Sequence, residues 1–170
     1  MRRAITLAFA VTAAAVLSVA LTAGGSAGAS GEQTLTFFGD ASHESDTLID
    51  NPPKSPSPNP GSRRFRLSVG DQLVVRTRLL DHRGGTRIGT LFAEGTIVGG
   101  NRFSNAIIHV NGVAKFRDDQ LTIDGIIRDQ RLNTVAVTGG TGTYEGARGS
   151  VTEMDVNGGQ GSKDTVHLLP

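Results

Sequence analysis

The feature that most constrains the fold of this chain is a succession of short runs in which apolar and polar residues alternate, separated by glycine, asparagine and aspartate. In Gln72–Asp81, for example, Leu73, Val75, Thr77 and Leu79 would share one face of an extended strand. Alternation with a period of two is typical of β-strands, and beyond the N-terminal apolar run no segment shows the period of an amphipathic helix. About eight to ten such runs in one small domain favour an antiparallel β-barrel or sandwich.

The N-terminus has the pattern of a secretory signal peptide. A pair of arginines precedes an apolar run that ends at Leu21, and small residues follow it up to Ala29. We therefore expect residues 1–29 to be removed and residues 30–170 to form one secreted domain with no stable membrane anchor. A retained anchor is the alternative, and the arginine pair leaves both the general and the twin-arginine export routes open.

Composition excludes several kinds of function. The chain has no cysteine, so disulfides, thiol catalysis and thiolate metal sites are excluded. Without the leader, basic and acidic residues nearly balance, which gives no electrostatic attraction to nucleic acid. Aromatic residues are 5% of the chain, too few for a surface that stacks bases or sugars. No motif indicates a cofactor, and we expect none.

Boundaries of the predicted elements are set by glycine and proline. The first strand is expected at Gln33–Phe38, after which the alternation stops, and a later strand is expected at Phe103–Val110. Residues 51–61 contain five of the six prolines and predict a long loop, either a disordered connector or a lid.

A glycine-rich stretch, Ala136–Val151, combines strand-like ends with five glycines and the only tyrosine of the chain, Tyr144. Glycines at this density indicate positive φ angles or close packing that leaves no room for a Cβ. A phosphate loop or dinucleotide turn would need a lysine or a third glycine and a following helix, which are missing. The stretch therefore favours a tight corner between two antiparallel strands, with Tyr144 and Glu145 at its tip.

Three segments, Val69–Asp81, Arg87–Gly95 and Ala136–Val151, resemble the allene oxide cyclase and dirigent protein families, which share one barrel. The resemblance implies an all-β fold, an eight-stranded antiparallel β-barrel that is commonly trimeric and has an apolar pocket inside. It also implies a function: allene oxide cyclases steer ring closure of a fatty-acid epoxide. Dirigent proteins steer phenoxy-radical coupling or related dehydrations without a redox centre of their own.

Of the functional residues known in these families, one has a direct match in this sequence. Asp40 follows an aromatic pair at the end of the first strand, as an aspartate does in dirigent proteins. The positions where the cyclases have a glutamate and an asparagine are occupied by Thr34, Thr36 and Phe38. The resemblance therefore predicts the barrel, and a cyclisation or coupling other than that of a true allene oxide cyclase.

Candidate catalytic residues are Asp40 and Glu94. Glu94 lies next to Gly95 in the segment that resembles a pocket-lining strand, and an inward glutamate would have a pKa raised by burial and could act as an acid. The direction in which each strand faces is left open by the sequence, since a shift of one residue reverses it. The candidate ligand contacts are the other polar or aromatic side chains of the predicted strands: Thr77, Phe92, His109 and Asp124.

We expect a barrel that binds a small hydrophobic or phenolic molecule and directs its cyclisation or stereoselective coupling. A non-catalytic, lipocalin-like carrier is the alternative, and a structural oligomer with a filled interior is a third. Both faces of Gln72–Asp81 are partly apolar, which favours a homo-oligomer. The acidic segment Asp40–Asp46 offers oxygen and nitrogen ligands, but its spacing matches no calcium or zinc motif, so we expect a solvated loop and no metal.

Overall fold

The computed structural model describes residues 32–52, 55, 64–128, 132–156 and 161–170. The expected signal peptide lies outside the described residues, as does most of the proline-rich loop. Within the described part of the chain, no helix combines the length and the apolar character needed to span a membrane.

Eight antiparallel strands form a closed barrel in which each strand pairs with the next and the last pairs with the first. The expected barrel is confirmed, and the sandwich is excluded. Closure leaves no unpaired sheet edge along the ring of strands. The strands are β1 (Gln33–Ile49), β2 (Gln72–Leu80), β3 (Arg87–Gly99), β4 (Ile107–Lys115), β5 (Gln120–Arg128), β6 (Leu132–Thr141), β7 (Gly149–Asp155) and β8 (Gly161–Leu168).

Alternation along each strand sends one set of side chains into the barrel. On β2 the inward set begins with Leu73 and Val75, which are buried, while the intervening Val74 is exposed. Burying a side chain of this size stabilises a fold by roughly 1.5–3 kcal/mol, and the inward aliphatic residues of all eight strands form one continuous core.

One end of the barrel, here named the Tyr144 end, is packed with aromatic rings. The ring of Phe116, in the β4–β5 hairpin, lies 5.3 Å from that of Phe37 and 5.6 Å from that of Tyr144. Tyr144 belongs to the expected glycine corner, a short 3₁₀ turn between β6 and β7. Gly142, Gly146 and Gly149 all have positive φ there, which confirms why the corner is rich in glycine.

The opposite end, here named the Asp71 end, is organised by a buried carboxylate. Asp71 is fully buried and accepts hydrogen bonds from the backbone amides of Asn51 at 3.0 Å and Ser68 at 2.8 Å. The loop that follows β1 is thereby tied to the start of β2. Nearby, Phe65 stacks on Phe103 with ring centroids 6.1 Å apart and is buried in the main core.

Two predicted boundaries are wrong. β1 continues to Ile49 instead of ending at Phe38, because an irregularity between Asp40 and Ser45 interrupts the alternation without ending the pairing with β2. The strand expected at Phe103–Val110 begins at Ile107, since its first residues form a 3₁₀ turn.

Candidate functional site

A wall of inward polar residues lies on β7 and β8. Glu153 of β7 is directly opposite Asp164 of β8, and Asp155 is opposite Ser162. Val151 and Val166, the next pair toward the Tyr144 end, are both buried in the core, and a period of two keeps these two polar pairs in phase with them. Opposed residues in an antiparallel pair have Cβ atoms about 5 Å apart, so the carboxyl groups of Glu153 and Asp164 are close neighbours.

Gly39 of β1 provides space beside this wall. It pairs with Ser162, and a Cβ at position 39 would overlap the Ser162 hydroxyl and press on the Thr77 methyl group. The Ser162 hydroxyl donates a hydrogen bond of 3.4 Å to Asp164 Oδ2, and the Asp164 side chain is 8% exposed. The glycine therefore allows β8 and β2 side chains to approach each other across β1.

Glu44 enters the same region from β1. Its Oε2 accepts a hydrogen bond of 3.1 Å from the hydroxyl of Thr77, which is 3% exposed. Glu44 extends the acidic wall from β7 and β8 across β1 to β2. We name Glu44, Glu153 and Asp164 the carboxyl group cluster.

Burial and mutual repulsion control the protonation of the cluster. Burial raises the pKa of Glu44 to about 7, with help from the negative charge of Asp46 and against the Thr77 hydrogen bond. Burial likewise raises the pKa of Asp164 to about 7, opposed by the Ser162 hydrogen bond. The pKa of Glu153 is raised well above its usual range by burial and then by the charges of Asp164, Glu44 and Asp155.

The inward-facing strand residues that the structure describes supply no positive charge to offset this repulsion. Among the described strand residues that face inward, none is lysine, arginine or histidine. Glu153 is half-buried and makes no hydrogen bond to any described residue. The cluster therefore combines a glutamic acid whose pKa is well above its usual range with two carboxyl groups whose pKa is about 7.

The wall across the barrel is apolar. The inward residues of β3, β4 and β5 toward the Asp71 end are aliphatic and buried, and carry no charge: Ile97, Ile108, Val110 and Ile127. Toward the Asp71 end the interior therefore has an acidic side, on β7 and β8, and an apolar side, on β3, β4 and β5.

Solved structures with the same fold include several small-molecule enzymes. A pyocyanin demethylase superimposes with a TM-score of 0.59 at 18% identity, over 81% of this chain and 99% of the other. A pterocarpan synthase dirigent protein gives a TM-score of 0.57 at 14% identity, over 81% and 93% of the two chains. This chain has the allene oxide cyclase and dirigent barrel fold.

An exo-specific intermolecular Diels-Alderase also shares the fold, with a TM-score of 0.57 at 13% identity over 81% of this chain and 98% of that one. The resemblance expected from sequence is thus confirmed at the level of the fold. No protein-family model matches the chain, and no curated protein matches it in sequence. At these identities the superpositions show the architecture alone.

Of the residues predicted to contact a ligand, Thr77 faces the interior. Phe92, His109 and Asp124 lie on the outer face of the barrel, in register with outward neighbours. Phe92 is 46% exposed, with the Arg76 guanidinium 5.8 Å from its ring, and His109 Nε2 is 3.0 Å from Asp124 Oδ2. The strand facing that the sequence leaves open thus places these three side chains outside the barrel, away from its interior.

The two residues predicted to be catalytic also face outward. Glu94 is exposed and pairs with Val74 and Asn111, because the neighbouring Ala93 and Gly95 occupy the inward positions of β3. Asp40 pairs with the outward Arg78 and interacts with its own strand. The inward Glu94 on which the acid role depended is therefore corrected to an outer-face residue.

The carboxyl group cluster was missed by the sequence interpretation, although a signal exists for two of its members. Glu153 is in phase with Val151, and Asp164 is in phase with Val166 and Leu168, so each acid falls in the apolar set of an alternating strand. An acidic residue in that phase indicates a carboxyl group facing the core. Within the described residues, no group of three or more histidine, aspartate or glutamate side chains is placed to hold a metal ion.

Proposed function

We propose that this protein binds a small hydrophobic or phenolic molecule inside the barrel and directs its cyclisation or coupling, with the carboxyl group cluster as the source and acceptor of protons. The observation that carries the proposal is the inward pair Glu153 and Asp164, set in a barrel whose opposite wall is apolar. The shared fold with a dirigent protein and a Diels-Alderase supports it.

The chemistry follows from the protonation states. Glu153, whose pKa burial raises well above its usual range, donates a proton to a hydroxyl group of the bound molecule, which leaves as water. The positive charge that develops is stabilised by the ionised fraction of Asp164, whose pKa is about 7. A second hydroxyl group of the same molecule then attacks the carbocation, closes the ring and loses its proton to the carboxylate of Glu153, so the residue is restored and one water is released.

The apolar wall would hold the reacting molecule in one conformation and keep water away from the charged intermediate. Thr77 orients Glu44 through its hydroxyl and places a third carboxyl group at the edge of the site. No redox step is part of this scheme.

The test measures binding and turnover separately. Binding is followed with the neutral fluorophore N-phenyl-1-naphthylamine, since an anionic probe would be repelled by the cluster. Two substrates are used for turnover: a tethered diene and dienophile, and a benzylic alcohol that closes onto a phenol. Chiral chromatography gives the rate of product formation and the ratio of the products. With the benzylic alcohol, whose closure needs proton transfer, Glu153→Gln should lower the rate by about 10²-fold or more and change the dissociation constant of the probe little.

Controls separate the alternatives. Glu145→Gln, at the exposed tip of the glycine corner, should change neither binding nor rate, and Glu94→Gln on the outer face should do the same. A wild-type protein that binds the probe and alters no product ratio would support the lipocalin-like carrier. Failure to bind any probe would support the structural oligomer and overturn the proposal.

Secretion and self-association are proposed on separate grounds. Secretion rests on the N-terminal pattern, and N-terminal sequencing of protein from the culture medium, with a first residue at Ser30, would support it. A homo-oligomer, such as a trimer, is favoured by apolar side chains on the outer face of the barrel, where Phe92 is 46% and Ile126 is 48% exposed. Light scattering of the purified domain tests the association.

A further inference from the structure

The irregularity in β1 reverses the direction in which the strand faces. Asp40 pairs with Arg78 and Ser45 with Arg76, so the four residues 41–44 lie opposite Thr77 alone. In a regular strand with a period of two, Glu44 would share the outer face of Asp40. Because three extra residues are inserted, an odd number, Glu44 instead contacts the inward Thr77, and β1 continues with Leu48 opposite the inward Leu73.

Such an insertion loses the regular ladder of hydrogen bonds and needs other contacts to fix its shape. The Asp40 carboxylate provides them from outside the barrel. Its Oδ1 accepts hydrogen bonds from the backbone amide of Ser42 at 3.1 Å and from the Ser42 hydroxyl at 2.5 Å. Its Oδ2 lies 2.7 Å from Nδ1 of His43, which is also 2.9 Å from the Ser42 hydroxyl.

Asp40 is well suited to this task. Partial burial works to raise its pKa, but the hydrogen bonds from Ser42 and His43 and the charge of His43 outweigh burial and hold the pKa below its usual range. The group therefore stays ionised as an acceptor over the pH range in which the inner carboxyl groups titrate.

We propose that Asp40, Ser42 and His43 are positioning residues that form an outer brace, which holds the insertion at residues 41–44 in the conformation that turns Glu44 into the barrel. The importance of Glu44 for turnover rests on the proposed function, whereas the brace itself does not. Asp40 thus acts on the interior through the backbone of β1 and touches no bound molecule.

The test reads the environment of Glu44 directly and requires no substrate. Labelling with ¹³C-glutamate and ¹³C-aspartate gives the titrations of the Glu44 and Asp164 carboxyl carbons by NMR, and Glu44→Gln and Asp164→Asn assign the two signals. Asp40→Ala removes all the carboxylate contacts of the brace and should let Glu44 reach solvent, so its pKa should fall from about 7 toward 4.5. His43→Ala removes one partner and should produce a smaller fall.

The matched control is Asp81→Ala. Asp81 makes an equivalent set of contacts in the β2–β3 hairpin at the Tyr144 end, where its Oδ1 accepts from the backbone amides of His82 and Thr86, each at 2.8 Å. Its loss should leave the Glu44 titration unchanged. In Asp40→Ala the Asp164 titration should also stay near pH 7, which separates a local change of Glu44 from a general loosening of the barrel.

The proposal is overturned if the wild type and a folded Asp40→Ala variant give the same Glu44 titration. It is also overturned if Asp81→Ala lowers the Glu44 pKa as much as Asp40→Ala does. Should Asp40→Ala not fold, Asp40→Asn, which keeps an acceptor oxygen for Ser42 and loses the charge, and His43→Ala provide the comparison. A shifted Glu44 titration with unchanged turnover would support the brace and argue against a catalytic use of Glu44. A wild type that turns over neither substrate would argue against the proposed function, whereas the NMR comparison would still test the brace.

Discussion

Replacing Asp164 by asparagine should stabilise the protein at high pH and have little effect in acid. The pKa of this carboxyl group is raised from 3.8 to about 7 by burial. Below pH 3.8 it is protonated in both the folded and the unfolded chain. Between pH 4 and 7 the unfolded chain ionises while the folded protein keeps its proton, so the free energy of unfolding falls as the pH rises.

The size of the effect follows from the shift. Each pH unit between the two pKa values corresponds to about 1.4 kcal/mol, so the penalty grows to roughly 4 kcal/mol by pH 7 and then levels off. Asparagine keeps the shape of the side chain and an acceptor for Ser162, and it carries no proton to lose. The difference between Asp164→Asn and the wild type should therefore rise from near zero at pH 3.5 to a few kcal/mol at pH 8.

Urea unfolding at a series of pH values measures this difference. Asp118→Asn is the matched control, since the Asp118 side chain is 86% exposed in the β4–β5 hairpin and should give no such rise. A variant that is less stable than the wild type at pH 8, or a difference that does not change with pH, would refute the conclusion that burial raises the pKa of Asp164.

Two further predictions concern glycines. Gly39→Ala should displace the Ser162 hydroxyl, weaken its hydrogen bond to Asp164 and raise the Asp164 pKa further, which NMR titration of that carboxyl group measures; an unchanged titration would contradict the close approach across β1. Gly149→Ala should destabilise by roughly 3 kcal/mol or more, because φ is +150° and the new Cβ would overlap the carbonyl oxygen of His167. Gly146→Ala, with a φ of +74° and open space, should cost only about 1 kcal/mol in the same thermal or urea unfolding assay.

Much of the fold could be predicted from the sequence because the strands alternate and the turns contain glycine. The corner around Tyr144 was predicted from its glycines, and positive φ angles at Gly142 and Gly146 explain it. The sequence does not specify which face of β3 is inside, since Glu94 and Phe92 alternate with Ala93 and Gly95. The side chains of the second pair are too small to give an apolar signal, yet they are the inward ones.

The candidate site was harder to predict, for two physical reasons. Glu153 and Asp164 lie in the apolar phase of their strands, so the pattern was present, but an acidic residue facing a core contradicts the usual preference for solvent. Glu44 depends on the irregularity in β1, where local hydrogen bonds around Asp40 overrule the period of two. An insertion of that kind is a property of the paired strands and leaves no periodic signal.

Closure of the barrel also has a consequence for folding. β1 pairs with β8, so the contacts that complete the ring join residues as far apart in sequence as Thr34 and His167, 133 positions away. Contacts of such long range are slow to form, and until they do both strands are open edges that another chain can pair with. The nascent protein is therefore most exposed to intermolecular β-pairing before its last strand is added. A chaperone that acts at that stage would change the yield of folded protein more than it changes the stability of the finished barrel.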